Sequence, residues 1–368
     1  MNEADDSMLD RQAHLKIACD KLLASLLHLC AGERLLLYTD GQSPSGLAAA
    51  LAKHAEAMGV DVTHLRLEEA ETLPEMSDML LRAVDETSYH AVCELSSNYF
   101  YPTPAWSLAT RGGARVYSLG AMSIDSFIRC VGRVDLPQIR ELGDWLYARL
   151  RDARSIEITT EAGSKLELRL KAPTFLRRGL SRLGLMGRSN VWSPSGFPSP
   201  HGGATFLTGQ VALVGVPASM RGRWVVDDYL WPPKDIGKIN QPLELSIERG
   251  EVVKIGGIPP EAKRLEHFMQ GQPRSVEHLC LGFNPGATSS EAVVEAERVF
   301  GGLTLGFGQY PFHVDASVCR PTMRVDGALL LERGQFVADD VAAIANRLLA
   351  AYAGQSLDAQ ESSARSAP

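Results

Sequence analysis

The chain has 368 residues, 45% hydrophobic and 22% charged, with a formal net charge of −7. Its length suits two domains at ~100–200 residues each, and its balance is that of an ordinary globular protein. The acidic balance and the lack of any Lys/Arg block argue against nucleic acid as a partner, since phosphate binding needs a concentrated basic surface. No apolar run approaches the ~20 residues of a membrane span.

Met1 to Asp10 is acidic and polar, the opposite of the basic-then-apolar start of a secretory signal. A cytoplasmic location is therefore expected. Cys19, Cys30, Cys93, Cys130, Cys280 and Cys319 are scattered, and none forms a close metal-binding pair. They read as small buried hydrophobes.

From Met8 to Leu29 apolar residues recur at helical spacing. Arg34 to Asp40 is a short apolar run of strand length ending at Gly41, and a helix follows from Ser45 to Met58. The alternation continues with strands at Asp61–Leu67, His90–Leu95 and Ala114–Leu119, and with helices at Pro74–Val84, Thr103–Arg111 and Leu136–Ala153. Strands alternating with helices predict a mostly parallel sheet covered on both faces. Ligands of such sheets sit beyond the carboxyl ends of the strands, here at Asp40–Gly46, Ser96–Pro102 and Gly120–Ser123. The first loop lacks the spacing of a phosphate loop and reads as a turn with a Ser helix cap. The second carries Tyr99 and Tyr101, which can line a pocket.

After Arg154 the pattern changes to hairpins. Ser155–Thr160 pairs with Lys165–Leu170, and Leu243–Ile247 with Val252–Ile255; Ala204–Val216 contains another strand. The expected fold is thus an α/β domain over 1–153, an α+β domain rich in antiparallel hairpins over 154–354, and a disordered polar tail over 355–368. The basic segment Phe175–Arg188 reads as a solvated amphipathic helix. Asn190–Thr205, with Trp192, Phe197 and His201, is a long Pro/Gly/Ser-rich loop of the kind that is often functional. Further on, helices are expected at Glu261–Met269, Ser290–Val299 and Asp339–Tyr352. Strands are expected at Ser275–Phe283, Gly302–Phe307 and Phe312–Val318, with a last hairpin turning at Asp326-Gly327.

His313 and Asp315 are two residues apart in the apolar run Phe312–Val318. Side chains on a strand repeat direction every second residue, so both point to one face and can hold a cation between them. Two ligands bind a divalent ion weakly. His278 is the candidate third, because it sits in the apolar strand Val276–Gly282, where a buried imidazole needs a partner. Two histidines and a carboxylate hold a non-haem Fe(II) on one face and leave positions open for substrate and oxygen. The same ligands suit Zn or Mn with an activated water.

Three motifs carry a family resemblance: Pro194-Ser195-Gly196-Phe197, His278-Leu279-Cys280-Leu281-Gly282-Phe283-Asn284-Pro285, and His313-Val314-Asp315 followed by Arg320-Pro321-Thr322. In their order and spacing over Asn190 to Asp326, the chain resembles the aminopeptidase T family of metallopeptidases. More closely, it resembles that family's 2,5-dihydroxypyridine dioxygenase branch, which cleaves rings with Fe(II). The peptidases' two metal-binding glutamates fall at Phe197 and His278 here, which argues against a two-metal site. The dioxygenase's iron ligands carry over onto His278, His313 and Asp315, whereas its two pocket histidines fall at Pro102 and Val191.

The resemblance implies a homo-oligomeric metalloenzyme with one divalent ion, Fe(II) foremost, acting on a small aromatic or N-heterocyclic molecule. With those two pocket histidines replaced, Tyr99, Tyr101 or His201 is expected to substitute in managing protons, and Trp192, Ser195 and Phe197 to contact the substrate. The rival readings are a Zn- or Mn-dependent hydrolase on the same scaffold and an inactive small-molecule-binding homologue.

Overall fold

The computed structural model describes residues 3–67, 73–97, 104–170, 191, 196–197, 202–233, 236–258, 260–289, 292–309 and 312–365. A parallel sheet is built from β1 (Arg34–Thr39), β2 (Asp61–Arg66), β3 (Ala91–Glu94), β4 (Arg115–Ser118) and β7 (Gly203–Phe206), in the order β2-β1-β3-β4-β7. The apolar run Leu35–Tyr38 has no exposed residue because both of its faces are covered. Leu35 and Leu37 pack with Leu22, Leu51 and Phe127 on one side. Leu36 and Tyr38 pack with Leu80 and Trp106 on the other. The helices responsible are Glu3–Asp20, Leu47–Ala57 and Ile124–Phe127 on the first side, and Leu73–Glu86 and Pro104–Arg111 on the second.

The remaining strands form two antiparallel sheets. One has eight strands, β13 (Glu251–Gly257), β12 (Leu243–Glu248), β9 (Arg221–Val226), β6 (Lys165–Arg169), β5 (Ser155–Thr159), β17 (Thr322–Val325), β18 (Ala328–Glu332) and β19 (Gln335–Phe336), in that order. The other has six, β11 (Gly237–Lys238), β10 (Tyr229–Trp231), β16 (Val314–Val318), β15 (Leu303–Phe307), β14 (Val276–Gly282) and β8 (Gln210–Leu213). Their apolar faces enclose one core with the helix Leu136–Asp152, in which Leu166, Trp224, Leu245 and Met323 meet Leu279, Leu305 and Ala316. A parallel α/β layer with an antiparallel two-sheet part is the architecture that the alternation and hairpin patterns predict.

Several elements differ from the sequence expectation. The run Ala204–Val216 is two strands in different sheets. β7 completes the parallel sheet beside β4, from beyond the residue at which the first domain is expected to end, while β8 joins the six-stranded sheet. The helix expected over Ser290–Val299 is only Val293–Ala296, because the chain then runs alongside Asn284, whose N–H donates to the Arg298 carbonyl at 2.9 Å. The sequence carries no strand signal for β9, which begins with exposed polar residues, or for β10, which runs into Pro232 and Pro233. The closing helix spans Asp339–Arg365, past the point where the composition predicts a polar tail. Cys30 and Cys319 are exposed rather than buried; the other four cysteines are buried as expected. The basic segment Phe175–Arg188 lies outside the described residues. Among the described residues no helix is long and apolar enough to cross a membrane.

The two parts are joined by buried polar contacts. Asn284 donates from Nδ2 to the carbonyls of Cys130 (2.9 Å) and Thr208 (3.0 Å), and its Oδ1 accepts from the Gly286 N–H. Nearby, Arg129 pairs with the buried Glu295 at 2.8 Å and also donates to the Gly286 carbonyl.

Candidate metal centre

The central strands of the six-stranded sheet alternate cleanly. Leu279, Leu281, Leu303, Leu305, Phe307, Val314, Ala316 and Val318 belong to the sandwich core, so the intervening residues His278, Cys280, Thr304, Gly306, Asp315 and Ser317 belong to the opposite face. Val276 lies in the core although it is two residues from His278, because the β14–β15 register shifts between the two. A bulge of this kind re-aims a side chain, and here it turns Val276 into the core while His278 keeps the alternation set by Leu279 and Leu281.

Pairing then sets the site. His278 stands opposite Gly306, Gly306 opposite Asp315, and Asp315 opposite Trp231, in one row across β14, β15, β16 and β10. The run Phe312–Val318 is expected as a single strand, but the strand begins at Val314. His313 therefore belongs to the turn before it and reaches Asp315 from there. Gly308, at φ +80°, makes that turn, and a Cβ on it would lie 2.5 Å from the Phe312 carbonyl oxygen.

The Nε2 atoms of His278 and His313 lie 3.2 and 3.3 Å from Oδ1 of Asp315, with the two ring centroids 5.0 Å apart. Nδ1 of His313 lies 2.9 Å from the Gly308 carbonyl oxygen. A carbonyl only accepts, so Nδ1 carries the proton of the neutral ring and leaves Nε2 as the donor toward a metal. Burial presses His313 toward neutrality, but the carboxylate of Asp315 outweighs it and holds the imidazole up at about 9. Asp315 is itself buried, and the two histidines keep its carboxyl well below the ordinary range.

The residues fit a divalent ion. One ligand atom from each of His278, His313 and Asp315 lies within 4.8 Å of the others, the one such grouping among the described residues. Although it lies 3.2 Å from Oδ1 of Asp315, the buried Nε2 of His278 has no hydrogen-bond partner among the described residues. A buried nitrogen without a hydrogen bond is costly, and a metal ion at the convergence point would satisfy it. Two imidazoles and one carboxylate suit iron, zinc or manganese more than calcium or magnesium, which take oxygen ligands.

Beside the triad lies a polar group that carries no motif in the sequence. Glu297 is buried and paired with the buried Arg298, and its carboxylate accepts from Gln210 at 3.3 Å. Burial and then the charge of Asp315 push its carboxyl up. Arg298 also donates to the Leu207 carbonyl at 3.1 Å, which links the site to the chain just after β7. The readable signal is Gly282, a glycine closing the apolar run Leu279–Gly282 that marks a close approach; a Cβ there would lie 2.7 Å from the Arg298 carbonyl carbon and 2.9 Å from the Glu297 carbonyl oxygen.

Phe197 carries the Arg140 guanidinium 4.0 Å over its ring and packs against the cores of both parts. Tyr99, Tyr101, Trp192, Ser195 and His201 lie outside the described residues. His54, His64 and His90, away from the triad, have local partners: Ala50 O for His54, Thr39 Oγ1 for His64 and the Arg34 N–H for His90.

Fold and site together define a two-part α/β and antiparallel protein with a two-histidine, one-carboxylate candidate metal site. No family model and no curated protein matches the chain. The solved structures that share the fold include 2,5-dihydroxypyridine dioxygenase from Pseudomonas putida KT2440. Its TM-score is 0.66 at 15% identity, covering 93% of this chain and 99% of that one. Another is wild-type AmpT from Thermus thermophilus, with a TM-score of 0.59 at 11% identity, covering 89% and 100%. The likeness is one of fold, and it is the fold that the motif resemblance implies.

Proposed function

We propose that the protein is a mononuclear non-haem metalloenzyme, with Fe(II) as its ion, that opens a small aromatic or N-heterocyclic ring with dioxygen. The observation that carries this reading is the convergence of His278, His313 and Asp315 on one point, with the Nε2 of His278 lacking a hydrogen bond among the described residues. These three residues would hold the ion, which when bound supplies a Lewis-acidic redox centre with positions free for substrate and oxygen.

The chain's own groups do the rest. The Gly308 carbonyl fixes the ring of His313. Trp231, next to Asp315 on the same row, gives a planar substrate an aromatic wall. Tyr99, Tyr101 or His201 would exchange protons with the substrate's ring substituents, and Trp192, Ser195 and Phe197 would contact the ring. These roles rest on where the residues stand in the sequence, with the pocket histidines of the resembled dioxygenase replaced by Pro102 and Val191; a homo-oligomeric assembly rests on the resemblance. Leu305, Phe307, Val314 and Ala316 back the site from behind and keep water from that side.

The test is anaerobic reconstitution with Fe(II) followed by oxygen uptake with dihydroxypyridines and aminophenols. Iron-dependent uptake is expected. Turnover that needs no oxygen, with tightly held Zn, would replace this reading with a hydrolytic one on the same ligands.

A further inference from the structure

We infer that Gly306 is a positioning residue of the candidate metal centre: its missing side chain is what allows His278 and Asp315, two strands apart, to share one ion. The inference rests on the metal-site reading above.

Neighbouring strands are ~4.8 Å apart, so residues two strands apart on one row are separated by roughly 10 Å of backbone. Nε2 of His278 nevertheless comes within 3.2 Å of Oδ1 of Asp315. The side chains meet above the strand between them, and the residue of that strand on their row is Gly306. A Cβ built there would stand 2.3 Å from Cε1, 2.4 Å from Nε2 and 2.7 Å from Nδ1 of His278. No imidazole tolerates this contact, so any other residue at 306 would push the ring away.

The backbone does not account for the glycine. Gly306 is absent from the positive-φ positions, so an L-residue can adopt its conformation. A glycine in the interior of a central strand also weakens it. Its neighbours Leu305 and Phe307 are wholly buried, as expected of an ordinary core strand. What requires glycine at this position is the ring of His278, and displacing that ring leaves two ligands where a divalent ion needs three.

The test uses Co(II) as the probe on the full-length, chelator-stripped protein, with titration followed by its visible absorption bands. Gly306→Ala is expected to keep the wild-type far-UV circular dichroism, to lower Co(II) affinity ~10–100-fold, the scale of losses when a ligand's support is removed, and to alter the bands. A thermal cycle in metal-free protein guards against a trivial loss of folding. Gly306→Ala should lower Tm when His278 is present and should not when His278 is already Ala, since the space is then free. Wild-type affinity and spectrum in Gly306→Ala, or an equal fall in Tm in both backgrounds, would overturn the inference. A wild-type protein that binds no Co(II), Fe(II) or Zn(II) would instead refute the metal-site reading beneath it.

Discussion

Trp224 donates its indole N–H to the carbonyl of Ala316 at 3.0 Å, tying the eight-stranded sheet to the strand that carries Asp315. Both partners are fully buried, so the bond is made out of reach of water. Replacing Trp224 by Phe keeps an aromatic ring but leaves the Ala316 carbonyl without this donor. A lost buried hydrogen bond costs about 0.5–1.5 kcal/mol, and the smaller ring adds a cavity term. Urea unfolding should show a lower midpoint with an unchanged slope. An unchanged midpoint would mean that the bond contributes nothing.

Metal-free protein should titrate in a way that reveals the His313–Asp315 pair. The raised histidine contributes stability in full below its ordinary value of 6.5 and loses it as pH rises through about 9. The depressed aspartate contributes above its ordinary value of 3.8 and loses it as pH falls through its lower folded value. The joint contribution is therefore full between these two ordinary values. In Asp315→Asn the carboxylate that outweighs burial is gone, so the His313 resonance should titrate well below 9 by NMR. Metal binding must displace the His313 proton, so affinity should rise with pH up to about 9.

Glu295 has no exposed side-chain surface, whereas its partner Arg129 is 21% exposed. Burial pushes the Glu295 carboxyl up, but the hydrogen bond and charge of Arg129 outweigh it and leave it below its ordinary value of 4.5. A depressed carboxyl contributes stability above that value and loses it as pH falls through the folded one. Glu295→Gln should then cost about 1.5–3 kcal/mol at neutral pH, because Arg129 loses a charge-assisted hydrogen bond but keeps its ion pair with Asp125 at 2.9 Å. The gap from wild type should narrow in acid. Denaturant melts at pH 7 and pH 3 check both parts, and parallel pH curves would contradict them.

Asn284 holds the Cys130 and Thr208 carbonyls at once. Asn284→Ala should cost roughly 1–3 kcal/mol for each carbonyl left unpaired, a sum large enough to loosen the junction between the parallel sheet and the site-bearing sheet. Hydrogen exchange should show faster opening of 126–132 and 207–210 than in wild type. Unchanged exchange there would show that the apolar contacts hold the junction alone.

Much of this molecule is legible in its residues. Alternating strand and helix patterns give the parallel layer, and Leu35 to Tyr38 is apolar throughout because both faces are covered. The turn Asp326-Gly327 has positive φ at both residues, 52° and 81°, as the hairpin signal requires. His313 and Asp315 stand close in sequence, and the short-range spacing was enough to single them out. These features share one cause: local periodicity and turn chemistry act within a few residues.

The tertiary structure decided the rest. A register shift between Val276 and His278 sends Val276 to the core and not to the site face, which a strict two-residue period cannot foresee. His313 acts from a turn rather than from the strand. The second strand of the Ala204–Val216 run departs for another sheet, and Glu297 and Arg298 are buried beside the site by a bridge to Asn284. Register between strands far apart in sequence is chosen by which faces can be buried together. For that reason the chain alone names His278, His313 and Asp315, but only the pairing of His278 with Gly306, and of Gly306 with Asp315, brings them to one point.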